Sequence, residues 1–171
     1  LSSDPRTGEV FDEYGGLADL EAGVLRHTTS AFAEDPLRVL RGMQFAARFD
    51  FGVAPDTIAL CRSLEDTFSE LALERVREEW WKWACRSKRP SRGLAFLREC
   101  GWLRHFPELQ ALVGVPPEPE WHPEGDVWAH TLHVVDALAG LGAWHELDEA
   151  TRGVTMLGAL AHDLGKPVTT R

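Results

Sequence analysis

From Leu37 onward the apolar residues recur at intervals of three and four, and that periodicity confines most of the chain to helix-on-helix packing. Leu37, Leu40, Met43 and Ala47 share one face of a helix that follows Asp35-Pro36, and Ile58, Cys61 and Leu64 repeat the spacing in the next segment. Val76 to Ala84 predicts a third helix, and Leu94, Phe96 and Leu97 belong to a fourth that stops at Cys100-Gly101. Trp80, Trp81 and Trp83 crowd the third helix; three tryptophans in four residues cannot share one face, so at least one must lie at an interface or a helix junction. Core packing and base stacking are the two uses such a cluster offers. The opening is different. It is rich in turn formers (Asp4-Pro5, Thr7-Gly8, Gly15-Gly16), then reads as a short helix from Leu17 to Ala22 closed by Gly23, and a strand from Val24 to Thr28. The expected fold class is mainly α with a short α/β piece at the N-terminus.

The helical pattern is interrupted once. Pro116, Pro117 and Pro119 put three prolines in four positions, which forbids a continuous helix, and a domain boundary is expected within Gly114 to Pro123. Beyond it Val127 to Leu141 and Thr151 to Leu164 read as two amphipathic helices joined by an acidic linker, expected to pack as a separate unit. The 171 residues carry 18 basic and 27 acidic side chains, a net charge of −9, so a uniformly basic nucleic-acid coat is excluded and any phosphate contact must be regional. Only residues 51–100 are not acidic, with 9 basic against 8 acidic side chains. Within them Arg86, Lys88, Arg89 and Arg92 gather around Pro90 as the candidate RNA-binding group, against the alternative of a solvated basic loop. Cys61, Cys85 and Cys100 form no CxxC pair and read as reduced thiols. No apolar stretch is long enough to span a bilayer and no leader opens the chain, so a cytoplasmic protein is expected, with neither membrane nor DNA as partner. A start at Leu1 and an end at Arg171, shortly after a strong motif, give the expectation of a fragment.

Two constellations carry chemistry. In Glu34-Asp35-Pro36-Leu37-Arg38, followed by Arg41, Asp35 and Arg38 stand three apart and present a carboxylate and a guanidinium on one helix face. The first only accepts hydrogen bonds and the second only donates, so together they suit a base with an amino group beside a ring acceptor. Cytosine and adenine qualify, whereas guanine O6 and uracil O4 would oppose an acceptor to the carboxylate. The plainer alternative is an N-cap aspartate, a proline at the first helical position and an arginine in an ordinary ion pair. The second constellation is His130 with His162-Asp163. Neutral imidazoles and a carboxylate suit a divalent transition metal, which lowers the pKa of a bound water. His133, three residues after His130, reads as a helix-surface residue, and His27, His105 and His145 as structural or surface groups.

Phe32-Ala33-Glu34-Asp35-Pro36-Leu37-Arg38-Val39-Leu40-Arg41, continuing through Phe45-Ala46-Ala47-Arg48-Phe49, closely resembles the nucleotide-selecting segment of bacterial class II tRNA nucleotidyltransferases, the CCA-adding enzyme and poly(A) polymerase family. Asp12, Tyr14-Gly15-Gly16 and Ala18-Asp19-Leu20 look like the flexible segment joining head to neck, and Leu25-Arg26-His27-Thr28 like the strand after it. Leu73-Glu74-Arg75-Val76 with Glu79 looks like the neck-bracing motif, and Leu97-Arg98-Glu99-Cys100-Gly101 with Phe106-Pro107-Glu108-Leu109 like the body. Trp121-His122-Pro123-Glu124, His130-Thr131-Leu132 and Ala161-His162-Asp163-Leu164-Gly165-Lys166-Pro167 look like the start of an HD-superfamily phosphohydrolase domain. The resemblance implies three parts: residues 1–30 the tail of the catalytic head, 31–115 the helical neck and body, and 116–171 a truncated HD domain. It implies that Asp35 and Arg38 pair with incoming CTP or ATP, supported by Glu34 and Arg41, and that tRNA is the acceptor. It also implies Mg²⁺ in the head, whose paired metal-holding carboxylates do not precede Asp12, so this chain alone is expected not to add nucleotides. At the HD site the ion is Ni²⁺, Mn²⁺, Co²⁺ or Zn²⁺, held by His130, His162 and Asp163, with a last aspartate ligand beyond Arg171. A poly(A) polymerase, a relative adding only CC or A, an HD phosphatase or 2′,3′-cyclic phosphodiesterase, and a non-catalytic helical RNA-binding module are the rival readings.

Overall fold

The computed structural model describes residues 2–116 and 126–169. A two-residue antiparallel ribbon, β1 (Ser2–Ser3) with β2 (Val10–Phe11), leads into helix α1 (Gly16–Ala22). The Asp12 carboxylate accepts from the backbone N–H of Gly16 and Leu17 at 2.7 and 2.8 Å, and these bonds hold its pKa below the usual carboxylate value. Gly23 closes α1 in the left-handed region at φ 65°, as the sequence predicts. The strand expected over Val24 to Thr28 is shorter: β3 is Val24–Leu25 alone, and it pairs in parallel with β4 (Gly52–Val53) across the intervening helix. Beyond Leu25 the backbone turns aside. There the His27 N–H and ring bond the buried Thr57 hydroxyl instead of a neighbouring strand.

Helices α2 (Leu37–Phe49), α3 (Pro55–Ser63), α4 (Leu73–Arg86) and α5 (Pro90–Glu99) follow, then a short α6 (Pro107–Gln110). Proline at the first position of α3, α5 and α6 starts each without wasting an N–H donor. Helix α2 is the centre: Val39, Leu40, Met43, Ala46 and Ala47 are fully buried against α4 and α5. The approach of α5 is close enough that a Cβ on Gly93 would lie 2.5 Å from the Met43 carbonyl oxygen. At its C-terminus α2 is closed by Asp50 in the left-handed region (φ 57°), and the Ala47 carbonyl accepts from the N–H of both Lys88 and Arg89 at 3.0 Å. The turn between α4 and α5 is thereby pinned to the end of α2.

Past the proline-rich segment lie α7 (Val127–Ala139), α8 (Gly142–Glu146), α9 (Glu149–Ala161) and α10 (Lys166–Thr169). The acidic linker expected from the sequence thus holds a helical turn, and α9 begins at Glu149 because Asp148 caps it, accepting from Thr151 N at 3.0 Å. The expectation of a separate packing unit does not hold. Helix α7 lies on α5 and α9 on α4, and Trp128, Val135, Trp144 and Met156 join one core with Leu40, Trp83, Leu94 and Trp102. The chain also returns to where it left: Gly114 N–H donates to the Asp126 carboxylate at 2.7 Å and Val127 N–H to the Val115 carbonyl at 3.1 Å. The core is therefore continuous on both sides of the proline-rich segment, because apolar faces on α4 and α5 are covered by α9 and α7.

The tryptophans serve that core. Trp83 is fully buried with its Nε1 donating to the Pro90 carbonyl at 3.1 Å, and Trp80 packs edge-to-face on Phe106 at 4.9 Å. Trp81 occupies the α4–α9 junction, where a Cβ on Gly153 would meet its ring at 2.7 Å. Core packing accounts for Trp83 and Trp80, and the half-buried Trp81 is the one that lies at a helix junction. All three thiols are buried as well, and burial pushes the pKa of Cys61 up to about 12 and of Cys100 to about 11.

Gly93→Ala forces the α2 and α5 backbones apart, so a loss of about 1–3 kcal/mol is expected, read as a lowered thermal midpoint with unchanged far-UV circular dichroism. A midpoint equal to that of the parent would show that α5 does not sit against Met43.

Candidate nucleotide-selection site and metal cluster

Asp35 ends a 3-10 turn (Ser30–Glu34) and stands just before α2. Its Oδ1 accepts from the Leu37 N–H at 3.1 Å, an early-turn contact close to the expected cap, while its Oδ2 is bound by Arg75 Nη2 of α4 at 2.8 Å. The ion pair is therefore with Arg75 and not with Arg38. Arg75 is the main cause of an Asp35 pKa below the usual carboxylate value; the Leu37 N–H and the nearby Arg38 charge add to it, and desolvation opposes them. Arg38 instead donates through Nη1 to the Ala31 carbonyl, and Glu34 is exposed.

Arg38 and Arg41 project into the wall of a cavity of about 310 Å³, shared with Arg26, His27, Phe45 and Thr57. Glu34 and Asp35 are not part of its wall. Arg26 is itself fixed, its guanidinium bridging Asp19 of α1 at 2.9 Å and Asp56 of α3 at 3.1 Å. Arg41 lies over the Phe45 ring at 5.8 Å. The result is a largely apolar recess whose lining includes the guanidinium-bearing Arg26, Arg38 and Arg41. Spacing could not have shown Arg75 holding Asp35, because the two are forty residues apart.

Of the candidate RNA-binding group, all four side chains are exposed but three are in ion pairs. Arg92 Nε meets Asp50 at 2.9 Å, Arg89 Nε meets Asp136 of α7 at 3.4 Å, and Arg86 Nη2 meets Glu149 of α9 at 3.8 Å. Asp136 also accepts from Ser91 N–H at 2.9 Å and Ser91 Oγ at 2.6 Å, so it caps the start of α5. This group fastens α5 and α4 to the helices behind them. Among the described residues Lys88 alone of the four makes no ion pair.

His130, His162 and Asp163 do converge, with one ligand atom from each lying within 4.8 Å of the others. Asp163 Oδ2 is inaccessible to solvent, 3.3 Å from His162 Nε2, 3.9 Å from His130 Nε2 and 3.0 Å from Lys166 Nζ. His162 Nδ1 is 2.7 Å from the Ala159 carbonyl, which can only accept, so Nδ1 carries the proton. In the neutral ring Nε2 is then a lone pair facing a carboxylate oxygen, an arrangement that calls for a cation between them. His133 is exposed on α7, and His105 and His145 bond backbone carbonyls at 2.9 Å, as structural residues do. His122 and Glu124 lie outside the described residues.

A family model described as "Probable RNA and SrmB- binding site of polymerase A" matches residues 50–112. The Multifunctional CCA protein of Chromobacterium violaceum is 49% identical over 165 residues, 95% of this chain and 38% of that protein. That of Cupriavidus metallidurans is 47% identical over 170 residues, 97% of this chain and 39% of that protein. The chain belongs to the tRNA nucleotidyltransferase family. It spans less than two-fifths of the length of those relatives. The fold agrees with that membership: a tRNA-processing enzyme in its apo form superposes with a TM-score of 0.61 at 25% identity, over 94% of this chain and 43% of that one. A tRNA nucleotidyltransferase complexed with a primer tRNA and an incoming ATP analog gives 0.59 at 26% identity, over 92% and 43%. Within the family frame, the α2 entry with Asp35 and Arg38 and the basic turn before α5 both lie in the part that these structures share. No helix among the described residues is long and apolar enough to cross a membrane.

Replacing Arg75 with Met frees Asp35 to titrate near the ordinary carboxylate value. A lowered carboxylate pKa contributes stability above the unfolded-state pKa and loses it as pH falls through the folded-state pKa. The urea midpoint of Arg75→Met should therefore lie slightly below that of the parent at neutral pH, with the gap closing between about pH 5 and about pH 2. The gap stays small because both side chains are partly exposed. A gap that persists unchanged to acid pH would mean that Arg75 does not hold Asp35.

Proposed function

We propose that this chain selects the nucleotide in template-free addition of C and A to tRNA 3′ ends, a reaction carried out by the full-length protein. One observation carries the reading: Asp35, fixed by Arg75, stands at the entry of the helix whose Arg38 and Arg41 line the recess. A carboxylate already bound by Arg75 and the Leu37 N–H keeps lone pairs for the amino group of cytosine or adenine, and it cannot rotate to meet a base that offers an acceptor. Arg38 supplies the donor for the ring nitrogen and Arg41 a charge for the nucleotide, with Glu34 at the approach. CTP and ATP are the nucleotides that fit, and the names of the curated relatives favour CCA addition over poly(A) synthesis or a purely binding module.

The family's Mg²⁺, held by carboxylate ligands, would support nucleotidyl transfer to the RNA 3′-hydroxyl with loss of pyrophosphate. The one three-ligand cluster among the described residues, His130, His162 and Asp163, has the donor set of a transition-metal site and does not fit that role. No step of nucleotide addition is therefore assigned to it.

In the full-length protein Asp35→Ala should lower CTP and ATP use and at the same time admit UTP and GTP, measured as incorporation with each nucleotide singly on a tRNA lacking its 3′ end. A variant with reduced stability and an unchanged order of nucleotide preference would assign Asp35 to capping α2 alone.

A second reading is supported by the convergence of His130, His162 and Asp163. We infer that residues 116–171 open an HD phosphohydrolase unit whose imidazoles and carboxylate hold Ni²⁺, Mn²⁺, Co²⁺ or Zn²⁺; such an ion supplies a hydroxide at neutral pH when bound. His162, with its proton held on Nδ1 by Ala159, is the ligand already oriented for it. Full-length protein incubated with each of the four ions should retain one on metal analysis and hydrolyse a 2′,3′-cyclic phosphate or a phosphomonoester. His162→Ala should lose both the ion and the hydrolysis while keeping nucleotide addition. Protein that stays metal-free with all four ions, or hydrolysis that survives in His162→Ala, would overturn this assignment.

A further inference from the structure

The outward face of α2 carries a row of cations and aromatic rings that the nucleotide recess does not use up. Arg38, Arg41, Phe45, Arg48 and Phe49 fall on one helical stripe, opposite the buried Val39, Leu40, Met43 and Ala47. Arg41 lies over Phe45 at 5.8 Å and Arg48 over Phe49 at 5.2 Å. The ring centroids of Phe45 and Phe49 are 5.9 Å apart, and those of Phe49 and Phe51 5.7 Å. Phe49 remains 43% exposed.

Among the described residues no carboxylate forms an ion pair with the guanidinium groups of this stripe. Arg26, Arg75, Arg86, Arg89, Arg92 and Arg104 all pair with carboxylates. Among the described residues Arg38, Arg41 and Arg48 pair with none, in a chain of net charge −9. Unneutralised guanidinium groups alternating with partly exposed phenylalanines are what a single-stranded nucleic acid requires: cations for the backbone and a π-face for each base. The rings sit too close to one another for a base to slip between them, so stacking uses their outer faces. Arg38, Arg41 and Phe45 also line the recess, so the stripe runs out from its mouth. From Arg38 to Phe49 the helix rises about 16 Å, which accommodates about five nucleotides stacked at about 3.4 Å each.

We propose that the Arg41–Phe45–Arg48–Phe49 stripe of α2 is a track for the unpaired 3′ end of the RNA acceptor, leading it to the nucleotide recess. The track lies outside residues 50–112, the span of the matched RNA-binding family model. It rests on the nucleotide-selection reading for what happens at its inner end, but its own support is the exposed charge and rings.

The test uses full-length protein and a fluorescein-labelled single-stranded RNA with an unpaired 3′ end, followed by anisotropy across a salt series, with a blunt RNA duplex as comparison. Arg48→Gln should weaken single-strand binding about five-fold and make the log–log salt dependence shallower by about 0.7. Phe49→Leu, which keeps the bulk, should weaken it at least about five-fold, while Phe49→Trp should bind as well as the parent, because stacking and not apolar volume is used. Duplex binding should change less than about two-fold in all three. Single-strand affinity and salt slope unchanged in Arg48→Gln and Phe49→Leu would overturn the proposal. So would a lowered thermal midpoint with unchanged RNA affinity, which would assign the stripe to packing against another part of the polypeptide. Nucleotide preference is read separately through Asp35→Ala, so the RNA affinities test the track whether or not the nucleotide-selection reading holds.

Discussion

Everything in this chain is arranged around the place where two helix backbones come almost into contact. Gly93 lets α5 lie against the Met43 carbonyl of α2, and Ala46 and Ala47 keep the surface of α2 low on the same side. Small residues at a crossing bring large neighbours within reach from both sides, and Trp83, Leu94, Phe96 and Trp102 are buried there. Because α5 cannot shift outward, the α4–α5 turn is delivered to the end of α2, where the Ala47 carbonyl takes two N–H donors. The same crossing sets where Arg75 emerges from α4, and with it the orientation of Asp35. The site is a by-product of the packing: its carboxylate is aimed by a helix that the core positions.

What the sequence discloses and what it withholds follow a physical division. Helices α2, α4 and α5 were legible because their apolar spacing is local and strong, and Gly23 and Gly101 end their segments in left-handed conformations that a sequence can announce. The candidate ligands His130, His162 and Asp163 were legible because helix α7 and the turn that closes α9 suffice to bring them together. Contacts made at long range were not. The two-residue pairing of Val24–Leu25 with Gly52–Val53 has no signal beyond a β-branched residue, and the Arg75–Asp35 pair joins elements whose relation only the core decides. The proline-rich segment misled for a definite reason: proline reports on backbone continuity, whereas core continuity depends on apolar faces that Trp81 and Gly153 bring together from far apart in the chain.

The distribution of charge follows from that continuity. The basic turn around Pro90 reads in sequence as a phosphate contact, yet Asp50, Asp136 and Glu149 take up three of its four cations. Asp136 and Glu149 come from the acidic final third, so two carboxylates of that segment neutralise cations of the middle one. Arg38, Arg41 and Arg48 of α2 take no part in that pairing among the described residues.

Lys166 gives the metal cluster a property of its own. Its ammonium stands 3.0 Å from the shielded oxygen of Asp163, so the carboxylate already has a monovalent counter-ion supplied by the polypeptide. An ion entering the cluster competes with that resident cation, and the exchange of a single positive charge for a double one is worth less than filling a bare anionic hole. Selectivity then shifts from charge toward the imidazole nitrogens, which a tethered ammonium cannot satisfy as a transition metal can. Under the proposed metal reading, a cluster built in this way would discriminate by donor chemistry and would keep hard alkaline-earth ions at a disadvantage without any change in the size of the site.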